Sequence, residues 1–141
     1  MATDRRGFAH GYLATETNYA RLRDMERANL IVPVVGNFGG TRALREIGRY
    51  LKTNGETVSV FYTSNVERYL FRDGLWDDFA ANLAAIPMDA SSTLVRSCFD
   101  SCSSGGDSRA VTLLDSMTDL LAAVSAGRVN TYWDVLSRSR R

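Results

Sequence analysis

Between Leu30 and Leu70 the hydrophobic pattern changes period twice, and the changes divide the stretch into strand, turn, helix and strand. Leu30 to Val35 form a continuous apolar run, the pattern of a strand buried on both faces of a parallel sheet. Pro33 is the exception within it, because proline gives a ladder no donor. Gly36-Asn37-Phe38-Gly39-Gly40 stop the run, and Thr41 is the expected N-cap of a helix. Ala43, Leu44, Ile47, Tyr50 and Leu51 recur three or four apart, which predicts an amphipathic helix lying on the sheet until Asn54-Gly55. Thr57 to Tyr62 are β-branched, apolar and aromatic and predict the second strand. This is a βαβ unit. Ligands of open parallel sheets bind beyond the carboxyl ends of the strands, so residues 36–41 and 63–67 are expected to line one rim.

Outside this unit the pattern is mainly helical. Thr15 or Thr17 can cap a helix reaching about Asn29, with Tyr19, Leu22, Met25 and Ala28 as its apolar stripe and alternating charges on its wet side. Val66 to Phe71 predict a short helical turn broken by Asp73-Gly74. Leu75, Trp76, Phe79, Ala80 and Leu83 predict a second amphipathic helix before Pro87, and their aromatics are read as core. Residues 92–99 predict a third strand, in which Arg96 is costly unless it sits at the end, pairs with a carboxylate or reaches water. The spacing of Val111, Leu114, Leu121 and Val124 predicts one long helix ended by Gly127, and Asn130-Thr131 start a last short helix in which Tyr132, Trp133, Val135 and Leu136 dock. Arg138 to Arg141 are expected to stay solvated. The chain is read as one α/β domain over 1–141, a small, mainly parallel sheet flanked by helices. Residues 1–13 are a loose N-terminus, 100–108 a Ser/Gly-rich loop, and 109–141 a helical C-terminal segment.

Composition narrows the partners. The 141 residues suit one core without disulfide staples. A net charge of +1 projects no field toward nucleic acid or an anionic membrane. No apolar run is long enough to span a bilayer and the start of the chain has no signal-peptide core, so a cytoplasmic protein is expected. Cys98 and Cys102 lack the further ligands zinc needs and are expected as free structural thiols, with a redox pair as the alternative; no metal is expected. His10, the single histidine, has no carboxylate or nucleophile at a recognisable spacing and is read as incidental.

Two clusters carry candidate chemistry. Gly36, Asn37, Phe38 and Gly39 match neither a Walker A loop nor GxGxxG. Glycine amides and the following helix N-terminus could still meet a carboxylate or phosphate, against the alternative of a plain tight turn. Tyr62-Thr63-Ser64-Asn65, followed by Glu67, place hydrogen-bonding side chains at a strand end, where they could read a polar ligand or simply cap the next helix. No nucleophile elbow or triad is present.

The strings VPVVGNFGGTRALREIGRYL and VFYTSNVERYLF, with GYLATETNYARLRDMERANL, DGLWDDFAANLAAIPMDASSTLVRS and AGRVNTYWDVLSRSR, resemble signatures of an uncharacterised bacterial family. Members are typically longer, and their upstream portion is similar to the first half of a class I methyltransferase-like, Rossmann-like fold. The resemblance implies that this chain corresponds to the later strands and helices, an incomplete methyltransferase-like domain without the usual S-adenosylmethionine glycine motif. It implies Gly36, Asn37, Phe38, Tyr62, Ser64, Asn65 and Glu67 as ligand-binding candidates, with Asp89 and Arg96 as additions. The expected function is binding of a small polar ligand at the strand ends, related to S-adenosylmethionine when the domain is complete. One alternative is a non-enzymatic interaction module that pairs with a second copy or with an upstream half. Another is a phosphate-ligand enzyme using the glycine turn.

Overall fold

The computed structural model describes residues 3, 4, 6–9, 11–98 and 111–140. The chain divides into two compact units, Met1–Val35 and Gly36–Arg141. His10, Cys102 and the loop expected at 100–108 lie outside the described residues.

In the first unit Thr3 and Ala9 form an antiparallel bridge closed around Asp4, whose Oδ1 accepts the amides of Arg6 and Phe8. Helix α1, Glu16–Arg27, begins as expected at Thr15, which accepts the Asn18 amide at 3.1 Å. It ends in a Schellman arrangement: Asn29 takes a φ of 54°, its amide donates to Glu26, and the Leu30 amide donates to Met25. The strand expected over residues 30–35 does not form. Those residues are irregular and exposed, Val35 completely. Two of the six residues offer a ladder no donor: the Leu30 N–H is spent on the helix end, and Pro33 has none.

The second unit contains helix α2 (Ala43–Thr53), strand β1 (Val60–Ser64), helices α3 (Val66–Arg72) and α4 (Trp76–Ala84), strands β2 (Thr93–Cys98) and β3 (Val111–Ser116), and helices α5 (Met117–Ser125) and α6 (Tyr132–Arg138). The described residues therefore form an α/β fold with six helices and one small mixed sheet, ordered β1-β2-β3. β1 runs parallel to β2, and β3 antiparallel to it, so one of the two pairings departs from the mainly parallel sheet expected. The long helix expected from Val111 is corrected to a strand followed by a helix. Burial alternates along β3 with Leu113 and Asp115 inward, the period of a strand. Ser116 then caps α5 by accepting the Asp119 amide, and Met117, Leu120 and Ala123 become the buried stripe.

The core lies on one face of the sheet. Leu94 projects there among Phe79, Leu83, Met117, Leu120 and Val135. Phe38, Phe61 and Phe79 meet edge-on or tilted at centroid distances of 6.0 to 6.3 Å, and Trp76 stacks on Phe71, so the aromatic stripe is core as expected. The opposite face, with Val60, Tyr62 and Leu114, is exposed. Three further expectations change at the helix ends. Arg42, not Thr41, occupies the N-cap of α2, without a side-chain cap. Thr131 and Asp134 form the capping box that starts α6, but this leaves Trp133 pointing to solvent. Arg138 bonds Asp115 and is half-buried rather than solvated, whereas Arg140 is exposed as expected, its backbone alone pairing with Leu114. Cys98 is disulfide-bonded, not the free thiol expected; a shortage of zinc ligands says nothing of oxidation. No helix among the described residues is long and apolar enough to cross a membrane.

Helix α2 approaches α4 at Gly48, where an added Cβ would stand 2.6 Å from the Ala85 carbonyl oxygen. Gly48→Ala therefore forces the two segments apart at a cost of about 1–3 kcal/mol, which outweighs a helix-propensity gain of about 1 kcal/mol. The midpoint of urea unfolding falls accordingly, and an unchanged or higher midpoint contradicts this packing.

Candidate functional site

The site is built at the carboxyl end of β1, where the strand gains one residue. Tyr62 pairs with Val95 and Ser64 with Arg96, so Thr63 is an extra residue in a bulge. Thr63 turns inward and its Oγ1 donates to the Val95 carbonyl at 3.5 Å. Ser64 takes a φ of 51°, a left-handed conformation uncommon for a residue with a side chain. Asn65 follows as the N-cap of α3 with no side-chain cap bond, and within the first turn of the helix Glu67 is buried.

The bulge sends the candidates to two faces. On the core face, Arg96 is 1% exposed and donates from Nε to Glu67 Oε2 at 2.6 Å. Its Nη1 donates to Asp115 Oδ2 at 3.1 Å and to Ser139 Oγ at 3.0 Å. Arg138 Nη1 adds a bond to the same Asp115 oxygen at 2.8 Å. Two guanidinium and two carboxyl groups thus join α3, β2, β3 and α6. Carboxylate pairing was one of the three ways expected for Arg96 to be tolerated, and it is the one adopted. The match is incomplete, since Glu67 Oε1 and Arg96 Nη2 have no hydrogen-bond partner among the described residues. Burial pushes both carboxyls above their ordinary range, against the pull of Arg96 on each and of Arg138 on Asp115. Burial also raises Tyr132, helped by the Glu67 charge.

On the open face the Tyr62 hydroxyl lies 3.1 Å from Ser97 Oγ. Hydrogen bonds from Ser64 and Ser97 hold the Tyr62 phenol below its usual value. Tyr62, Ser64 and Ser97 form an accessible trio of hydroxyls beside Asn65, able to donate to and accept from a polar ligand. It contains no base and no activated nucleophile. Among the described residues no group of three or more His, Cys, Asp or Glu side chains is placed to hold a metal ion.

The remaining candidates lie elsewhere. Gly36, Asn37, Phe38 and Gly39 do not share a strand-end rim with residues 63–67, because residues 30–35 form no strand and the parallel neighbour of β1 is β2. Their turn is internally satisfied. Asn37 accepts the Gly39 amide through Oδ1 and the Gly40 amide through its carbonyl, while Asn82 Nδ2 donates to the carbonyls of Phe38 and Gly40 at 2.9 and 2.7 Å. Two of the amides that could have met an anion are thus engaged. Glycine at position 36 follows from close approach, since an added Cβ would overlap that of Ala43. Asp89 precedes β2 and bonds Ser91 and Thr57, the latter preceding β1. It therefore marks the amino ends of the parallel pair, away from Glu67. Its carboxyl is held low chiefly by the Ser91 hydroxyl and amide.

Asn82, Asp115, Arg138 and Ser97 were not among the expected site residues. Asp115 had a readable signal: alternation along VTLLDS puts it on the same face as Leu113, so a lone acid and a lone Arg96 each stood on a buried strand face.

Removing Arg96 leaves Glu67 buried beside no cation, so Arg96→Met lowers stability by about 3–5 kcal/mol, and adding Glu67→Met recovers part of the loss. Glu67 and Asp115, with pKa values raised by folding, bind protons more readily in the folded state. Their contribution is complete below the unfolded carboxylate values and is lost as pH rises through the folded ones. Unfolding free energy measured by urea therefore increases as pH falls from neutral toward the unfolded carboxylate values of about 4, and Glu67→Gln flattens the increase; a fall on approaching those values in the wild type refutes the assignment.

Comparison with curated proteins gives no match. The family model for a domain of unknown function, DUF7790, matches residues 1–123. With most of its length covered by that match, the chain belongs to the DUF7790 family.

Proposed function

We propose that this protein is a Rossmann-like, methyltransferase-like α/β domain that binds a small polar ligand at the carboxyl end of its parallel strand pair. The observation that carries the reading is Ser64. A serine held at positive φ in a bulge, at the end of the one parallel pairing among the described residues, stores backbone strain where open α/β sheets place ligands. The Tyr62, Ser64 and Ser97 hydroxyls and the Asn65 amide supply donors and acceptors, and the Glu67–Arg96 pair fixes the backbone beneath them. Their role is positioning: a substrate held in one orientation reacts faster with an electrophilic methyl group supplied by S-adenosylmethionine. The donor belongs to the reading through sequence resemblance, as do a bacterial source and a cytoplasmic location. In a reducing cytoplasm the Cys98 bond would be open.

A second reading is a non-enzymatic interaction module that joins a second copy or an upstream half. It is favoured by the open sheet face carrying Val60, Tyr62 and Leu114, and by the outer edge of β1, which no described strand pairs. A phosphate-ligand enzyme built on the glycine turn has less support, because the Gly39 and Gly40 amides are already bonded.

Isothermal titration with S-adenosylmethionine and S-adenosylhomocysteine, on this chain and on a longer one extended upstream, tests the first reading. Binding to at least one chain is expected, with Asn65→Ala weakening it by about tenfold, the value of one or two lost hydrogen bonds. Absence of heat with both chains removes methyl-donor binding. Sedimentation that stays monomeric over a wide concentration range counts against self-association.

A further inference from the structure

Beside β3, toward the amino end of β2, lies a concavity of about 400 Å³ lined by Ala90, Ser92, Thr93, Leu114, Asp115, Ser116 and Arg140. Thr93 and Ser116 face each other across β2 and β3, and Leu114 faces Arg140 across an isolated bridge. Residues directly opposite share a face of a sheet. Thr93, Leu114, Ser116 and Arg140 therefore all project from the open face, opposite the buried Asp115 carboxylate.

The polar groups here are unequally occupied. Ser92 Oγ donates to the Val58 carbonyl and accepts the Asp89 amide, and Thr93 Oγ1 donates to the Ser91 carbonyl, so neither has a proton to offer. Ser116 Oγ accepts the Asp119 amide and lies 3.0 Å from Thr118 Oγ1; when Thr118 donates, the Ser116 proton is free. The Arg140 guanidinium has no ion pair or side-chain hydrogen bond among the described residues, although its backbone is anchored by two bonds to Leu114, of 2.7 and 2.8 Å. Asp115 is already shared by Arg96 and Arg138, which offsets its repulsion of a second anion. A located cation, one free hydroxyl proton and a recess larger than a bare ion match an acidic group carried on a small organic body.

We propose that this concavity binds the oxyanion group, phosphate monoester or carboxylate, of a small molecule through the Arg140 guanidinium and the Ser116 hydroxyl, with the rest of the ligand against Leu114 and Ala90. Its polar groups, on β3 and at Arg140, are not those of the Ser64 site on β1, although Tyr62 and Leu114 flank Val95 on the same open face, and it survives if methyl-donor binding fails.

The test is an amide-resolved NMR titration with phenyl phosphate, benzoate and neutral phenol. At millimolar ligand, one or both acids shift the Leu114 and Ser116 amides saturably, and which of them binds identifies the acid group. Phenol leaves these amides unmoved. Arg140→Gln retains the melting temperature, because the bridge to Leu114 uses backbone atoms, and weakens acid binding by about tenfold, as expected for a lost charge-assisted bond. No saturable shift with either acid, equal binding of phenol, or unchanged affinity in Arg140→Gln overturns the proposal.

Discussion

A guanidinium buried at Arg96 is the constraint from which much of the second unit follows. An ion taken out of water costs several kcal/mol unless opposite charges and hydrogen-bonding groups meet it. Here they arrive from different parts of the chain: Glu67 from α3, Asp115 from β3, Ser139 from beyond α6. Each delivery has a geometric condition. Glu67 reaches Arg96 after a bulge and a left-handed serine turn the chain out of β1, and Asp115 does so because β3 runs antiparallel with its odd-numbered residues inward. Arg138 then gives Asp115 a second cation and anchors the end of α6.

The bulge also separates structural polarity from available polarity. Glu67 and Arg96, which looked like ligand-binding residues in sequence, spend their charges on one another and on the core. Tyr62, Ser64 and Ser97 remain on the uncovered face, where their hydroxyls bond each other and still meet solvent. The glycine turn is structural in a different way. Asn82, reaching back from α4, bonds two of its carbonyls and is itself oriented by Arg45 at 2.7 Å.

Elements with one strong period were legible in the sequence. Trp76, Phe79 and Leu83 recur at helical spacing and are core; Asn54-Gly55 and Asp73-Gly74 end helices where they should. The failures come from segments in which two patterns overlap. Val111 and Leu114 are three apart, yet Leu113 and Asp115 alternate, and the alternation prevails because β2 offers a ladder that a helix could not use. Residues 30–35 are apolar throughout, but apolarity gives no strand without a partner to bond. In the candidate site, the residue types were readable and their destinations were not. A single extra residue at Thr63 decides which side of the sheet each side chain meets, and no periodicity before it announces that step.

The bridge between Leu114 and Arg140 gives the two margins of the sheet different fates. The middle of the β3 margin is already occupied by the chain's own backbone, while no described strand lies along the outside of β1. Among the described residues, strand addition would therefore find one extended docking margin. When two such margins meet about a two-fold axis, each satisfies the other and growth stops at a pair, whereas two equally open margins would let the same contact repeat into a filament.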